Sequence, residues 1–328
     1  MSDIKLKDVL KFGNNFCILP FMHEFLDINF TKKVCCNSDD KITDIRLDQI
    51  RSEMLENKPI PECADCVSCE KQKVFSERQL TTRLWVRRFP DLMNDCISKP
   101  HIYSYDLRYS NLCNLRCQTC GPGSSSEWAK FLNKENVYNS WNPSAIEINN
   151  DAKRVYLAGG EPFMIKSFSS ALNNLENKDC EIVINTNATV LTEHMLSALE
   201  PFSNVCLTLS IDGTGETIER IRTLCSWDMI NRNIEILRKR LNPIFMVNTV
   251  VQKDNIDNIP ELTKWIDDQD IEMWHTTICT DPDEFHYRHY TGTINWSDDF
   301  WNSSCFKKSI QAKNTLKKVY NNLIQDLG

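Results

Sequence analysis

DLRYSNLCNLRCQTCGPGSSSEW, residues 106–128, runs from a strand into a helix through a loop that carries three cysteines. The run Tyr103–Tyr109 that leads in has strand character, and Ser125–Leu132 that leads out is helix-forming. Between them Cys113, Cys117 and Cys120 are separated by three and then two residues. Three thiolates on one tight loop can hold three irons of a cubane cluster and leave the fourth without a protein ligand. An iron with an open position binds substrate or cofactor, whereas a cluster held by four cysteines passes electrons. A zinc site asks for a fourth ligand close by. None follows within the loop; Gly121-Pro122-Gly123 comes instead.

Downstream, the strand-like character returns at Arg154–Ala158, Glu181–Asn185, Val205–Ile211, Phe245–Val251 and Ile271–Cys279. Amphipathic runs lie between: Ile230, Ile234 and Leu237 recur at helical spacing, as do Leu262, Trp265 and Ile266 behind Pro260. Six consecutive βα units imply a parallel sheet with helices outside it. Six are too few for an eight-stranded barrel. The expected fold class is therefore α/β, a partial (β/α)6 TIM-type barrel with ligands at the carboxyl ends of its strands.

The 328 residues suffice for one large domain or two modest ones. They divide into a cysteine-rich module over 1–85, a core over 100–280 and a helical capping extension over 281–328. The module reads as irregular, with short strands or turns at Phe16–Phe21 and Val34–Cys36, a helix at Leu47–Glu56, and little core of its own. It is expected to be held by metal. The extension reads as a loop followed by a helix near Asn302–Leu327. No apolar run approaches the roughly 20 residues that span a bilayer. The opening, mixed in charge, has no secretory character, so a cytoplasmic protein is expected. The net charge is −7, and no basic stretch exceeds Arg87-Arg88 and Lys307-Lys308, which speaks against a nucleic-acid partner.

Fifteen cysteines is a high count. In a reducing compartment, clustered cysteines more often bind metal than form disulfides. Cys96, Cys180, Cys206, Cys225, Cys279 and Cys305 are scattered singly and read as small buried hydrophobes. The others gather in the central loop and at Cys17, Cys35, Cys36, Cys63, Cys66 and Cys69.

A second motif, Gly159-Gly160-Glu161-Pro162, follows the second strand of the core. Its glycines let the backbone approach a ligand closely, and Glu161 offers an acceptor for an ammonium group. Together with the triplet, Asn185-Thr186-Asn187 and Ser210-Ile211-Asp212-Gly213, it resembles the radical S-adenosylmethionine (SAM) superfamily, from about Tyr103 to Cys279. The resemblance implies a [4Fe-4S] cluster on Cys113, Cys117 and Cys120 whose open iron chelates SAM. One electron would then release methionine and a 5′-deoxyadenosyl radical that abstracts hydrogen from substrate. By the same resemblance Gly159, Gly160 and Glu161 meet the methionyl amine, and Ser210 and Asp212 meet the ribose. Arg222 pairs with the methionyl carboxylate or forms a surface salt bridge, and Asn187 lines the pocket or caps a turn. Thr119 departs from the family pattern, which often has an aromatic residue before the third cysteine.

The amino-terminal cysteines, with Glu70, Ser76 and Arg78, resemble the SPASM/twitch-type module of related enzymes. That implies an auxiliary iron–sulfur cluster on Cys17, Cys36, Cys63 and Cys66, with Cys35 and Cys69 as substitutes; a structural zinc knot is the alternative. The histidines read as structural, and His286, Tyr287, Tyr290 and Trp296 as a packed tail or a cover for the barrel mouth. The expected function is oxidation or crosslinking begun by hydrogen abstraction from a peptide or protein side chain, with a sugar or aminocyclitol next. An external one-electron donor such as flavodoxin or ferredoxin is implied. Two alternatives are a non-catalytic iron–sulfur protein that senses redox state or iron, and a nucleic-acid-modifying radical SAM enzyme.

Overall fold

The computed structural model describes residues 13–38, 40–71, 76–134, 138, 140 and 146–325. The mixed-charge opening at 1–12 and the last residues of the expected carboxyl helix, 326–327, lie outside them. The strands are β1 (His23–Leu26), β2 (Lys32–Lys33), β3 (Ser104–Leu107), β4 (Arg116–Cys117), β5 (Arg154–Leu157), β6 (Glu181–Thr186), β7 (Val205–Ser210), β8 (Arg222–Thr223), β9 (Ile244–Val251) and β10 (Met273–Ile278). All six expected strands of the core form, as β3, β5, β6, β7, β9 and β10.

They lie in one sheet ordered β10-β9-β7-β6-β5-β3-β1-β2, parallel throughout except for β2. The sheet is thus longer than six strands. β1 pairs in parallel with β3, His23 opposite Ser104 and Leu26 opposite Leu107, so the amino-terminal segment extends the core sheet. β4 and β8 form a separate antiparallel pair, with Cys117 opposite Arg222.

Alternation along the strands sorts the side chains onto two faces. Ile182, Ile184, Leu207, Leu209, Val247 and Val251 are buried in the main core beneath helices such as Trp227–Leu241 and Ile259–Asp268. Each such side chain contributes about 1.5–3 kcal/mol by leaving water. The opposite face, inside the curve, carries polar residues toward the strand ends. Ser210, Asn248 and His275 share one level of the register there.

The amino-terminal region differs most from expectation. Phe16–Phe21, expected as a short strand or turn, runs into a helical turn, Leu19–Met22, and the expected helix forms as Asp44–Leu55 with the Thr43 side chain capping Arg46 N. The region has a core of its own: Phe16, Ile18, Phe21, Met22, Ile50, Met54, Ile60 and Trp85 are all buried together. Metal is therefore not its sole source of cohesion. Helices Glu77–Arg88 and Pro90–Ser98 complete it. At the other end, helix Ile310–Gln325 covers the edge strand β10. Gln311 accepts from Thr276 N at 3.0 Å and donates to Thr276 O at 2.7 Å, in place of a neighbouring strand. Trp296 stacks on Tyr320 and packs against Phe300, which makes this stretch a packed tail.

Candidate active site

The triplet loop is fastened before any ligand is considered. Ser126 Oγ accepts from Cys113 N at 3.1 Å and donates to Cys113 O at 3.0 Å. Ser125, which caps the helix Ser126–Phe131, donates to Leu115 O, and Trp128 Nε1 donates to Cys117 O at 2.9 Å. Both ends of the loop are thereby tied to the first turn of that helix. The β5 end crosses it at close range: Gly160 N donates to Ser110 O and Glu161 N to Leu112 O. A Cβ at Gly160 would lie 2.1 Å from Leu112 O, and Gly159 has a φ of +112°. Both positions therefore require glycine for the backbone to pass.

A cavity of about 380 Å³ opens between this loop and the strand ends. Cys113, Cys117 and Cys120 line it together, as do Gly159, Gly160, Asn187, Ser210 and Arg222. The Cys117 thiol is held below the usual thiol range, chiefly by a hydrogen bond with Cys120 and also by the nearby Arg222 guanidinium; burial pushes Cys113 up to about 11. Arg222 Nη1 donates toward Cys117 Sγ at 3.7 Å, and Asn187 Nδ2 toward Cys113 Sγ at 3.9 Å.

Two expected contacts turn inward. Glu161, expected at the methionyl amine, is fully buried and accepts from Thr186 Oγ1 (2.7 Å), Asn187 N (2.8 Å) and Phe163 N (3.2 Å). It braces the β5 end against the β6 end. Asp212, expected at the ribose, is also fully buried; it lies 2.8 Å from Arg222 Nη2 and accepts from Val250 N at 2.8 Å. It positions the arginine and does not face the cavity. Arg222 is accordingly no surface salt bridge.

Sequence reasoning missed His275, Asn248 and Thr277, which also line the cavity. No motif marks them; Asn248 and His275 lie within β9 and β10, level with Ser210 at the end of β7, and Thr277 lies two residues beyond His275 on the same face. Burial lowers the His275 pKa, which favours the neutral ring. Thr119 lines the cavity where an aromatic residue was the family expectation.

The residues present fit an iron–sulfur cluster with SAM. Three thiols converge on one side. Bordering the same cavity, Arg222 Nε and Asn185 Oδ1 are buried with no hydrogen-bond partner among the described residues, which leaves a donor and an acceptor for a ligand.

The amino-terminal cysteines sort differently from expectation. Cys17, Cys35, Cys63 and Cys66 line one small cavity with Glu77 and Arg78. Burial raises all four thiols, Cys35 to about 12 and Cys63 to about 11. Arg78, 3% exposed and paired with Glu70, offsets negative charge on Cys63 and Cys66. Cys36 instead stands toward Asp106 and Arg108, in the turn that Ser38 N closes on Cys35 O. Cys69 does not line the cavity. Among the described residues, no three Cys, His, Asp or Glu side chains are close enough to grip a single metal ion. No described helix is long and apolar enough to cross a membrane.

Comparison with known proteins agrees with the core site. The Radical SAM superfamily model matches residues 107–266. The chain is 27% identical over 169 residues to GTP 3',8-cyclase of Helicobacter pylori (strain ATCC 700392 / 26695), covering 49% of this chain and 51% of that one. It is 29% identical over 164 residues to the AdoMet-dependent heme synthase of Methanosarcina barkeri (strain Fusaro / DSM 804), covering 49% and 45%. The match thus spans about half the length of these curated relatives. The crystal structure of Streptococcus suis SuiB bound to precursor peptide SuiA aligns with 94% of this chain and 70% of its own, at 12% identity and a TM-score of 0.44. Residues 107–266, the span that matches the Radical SAM superfamily model, carry the triplet, the paired glycines and the ends of the inner strands.

Proposed function

We propose that the chain is an enzyme that cleaves SAM reductively and uses the product to take hydrogen from a substrate. The observation that carries this reading is the triplet opening onto a cavity lined by the paired glycines, Ser210 and Arg222. Cys113, Cys117 and Cys120 would hold a [4Fe-4S] cluster. Bound there, cluster and SAM would supply one-electron cleavage of the sulfonium and a carbon radical able to abstract hydrogen.

The remaining work falls to the protein. Arg222 offers its unsatisfied Nε to the methionyl carboxylate, and Asp212 holds the guanidinium in place. Glu161 fixes the β5 end, so that Gly159 and Gly160 present backbone to the ligand. Neutral His275 adds a polar wall without repelling a sulfonium cation. Asn187 directs an N–H at the Cys113 sulfur.

Cys17, Cys35, Cys63 and Cys66 would hold the auxiliary cluster, with Cys35 in place of Cys36. The proposed substrate is a peptide or protein side chain, with a sugar or aminocyclitol second, and the proposed electron donor is a flavodoxin or ferredoxin. The support for an auxiliary cluster is the convergence of four thiols beside Arg78. The test is anaerobic reconstitution followed by dithionite and SAM. 5′-Deoxyadenosine and methionine are expected from the native protein and not from Cys117→Ala. Neither product from the native protein would end the reading.

A further inference from the structure

A second cavity, of about 240 Å³, adjoins the first. Ser124, Gly159 and Asn185 line both, so a group seated in the second lies directly beside the first. Its other walls include Arg108, Tyr156 and Asp27. It is smaller than the roughly 300 Å³ at which sites for whole small molecules begin. It therefore suits one side chain or chain end of a larger substrate.

The wall chemistry is selective. Arg108 is the one cation lining the cavity among the described residues, and its side chain is 33% exposed. Asp106, 7% exposed, lies behind it at 3.3–3.4 Å, and the Phe25 ring lies under the guanidinium at 4.8 Å. The head group is thus held from two sides and aimed by them. Tyr156 is protonated at neutral pH, as any phenol is, and burial raises its pKa further, so its hydroxyl can donate. Ser124 and Asn185 add further donors. Asp27, the one acid on the wall among the described residues, is already engaged by Asn29 N and Thr31 N at 2.9 Å and by Lys33 at 4.0 Å.

From this donor-rich wall around one arginine we propose that the second cavity is the substrate subsite and that it seats a carboxylate on Arg108. A carboxylate only accepts hydrogen bonds, and a guanidinium beside a phenol matches it. A dianion is less well matched, because Asp106 offsets much of the charge on Arg108. This inference rests on the SAM reading, since the cavity has a reactive neighbour only if SAM occupies the first.

The test uses the full chain, anaerobically reconstituted, in the oxidised state with SAM present. Calorimetry of SAM binding comes first and bears on the SAM reading alone. Binding of the N-acetyl methylamides of glutamate, glutamine and lysine, and of N-acetylalanine, is then followed by saturation-transfer NMR. The glutamate probe or N-acetylalanine should bind at least about tenfold tighter than the glutamine probe, the discrimination a charged hydrogen bond supplies. Which of the two binds tells a side-chain carboxylate from a chain end. The preference should vanish in the double variant Asp106→Asn/Arg108→Gln, which leaves no unpaired buried charge. SAM binding with no carboxylate preference, tighter binding of the lysine probe, stronger competition by inorganic phosphate, or a preference that survives the double variant would each overturn the proposal.

Discussion

The two cysteine groups are built from the same side chain and differ in almost everything else. The triplet comes from one loop of eight residues, Cys113 to Cys120, and borders a cavity of about 380 Å³. The amino-terminal four come from three separate stretches and line a cavity of about 10 Å³ with Arg78 beside them. An incomplete set beside open space can admit a ligand, whereas a complete set in a closed pocket can carry electrons or hold structure. The surroundings of the cysteines therefore separate the two roles more clearly than the cysteines themselves.

The largest expected effect is at the open set. Cys117→Ala should abolish SAM cleavage, measured as 5′-deoxyadenosine, while the amino-terminal set keeps its iron. The closed set gives the next largest. Cys35→Ser should lower bound iron by about four per chain, one cubane, whereas Cys36→Ser should leave the count unchanged. The reverse result would restore Cys36 as ligand and undo the sorting described above.

The third concerns the support behind the open set. Asp212→Asn leaves Arg222 partly buried without its partner and should cost about 3–5 kcal/mol in chemical denaturation, along with weaker SAM binding. An unchanged midpoint would show that Asp212 does not position the arginine.

The smallest effect tests whether the amino-terminal region shares the core sheet. His23 on β1, opposite Ser104, has its pKa lowered to about 3, chiefly by burial and then by Arg154. The unfolded chain binds that proton near pH 6.5 and the folded chain does not. Stability therefore falls as pH drops from about 6.5 toward 3. His23→Gln should make the slope of denaturation midpoint against pH shallower over that window. An unchanged slope would mean that His23 titrates normally and that β1 is not packed as described.

The two groups also differ in how far the sequence reveals them. The triplet, the paired glycines and the ends of β6 and β7 are short contiguous motifs, and the six core strands alternate clearly enough to be placed. β1 is only four residues, HEFL, without clear alternation, so its place in the sheet depends on pairing with β3. The choice between Cys35 and Cys36 turns on which side of the chain faces inward, and neighbouring identical residues carry no mark of that. Glu161 and Asp212 sit in recognisable motifs, yet their carboxylates meet partners contributed by distant strands, and no local pattern shows this. His275 and Asn248 belong to the cavity only because the register of the sheet brings them level with Ser210 at the end of β7.

The most direct test of an open set beside a closed one is electron paramagnetic resonance of the dithionite-reduced protein with and without SAM, run on the native chain and on the triple variant Cys113→Ala/Cys117→Ala/Cys120→Ala. SAM should alter the native spectrum, and the variant should retain about four irons whose signal SAM leaves unchanged. A variant with no iron, or one whose remaining signal still responds to SAM, would contradict the assignment of SAM to the triplet and of a separate cluster to Cys17, Cys35, Cys63 and Cys66.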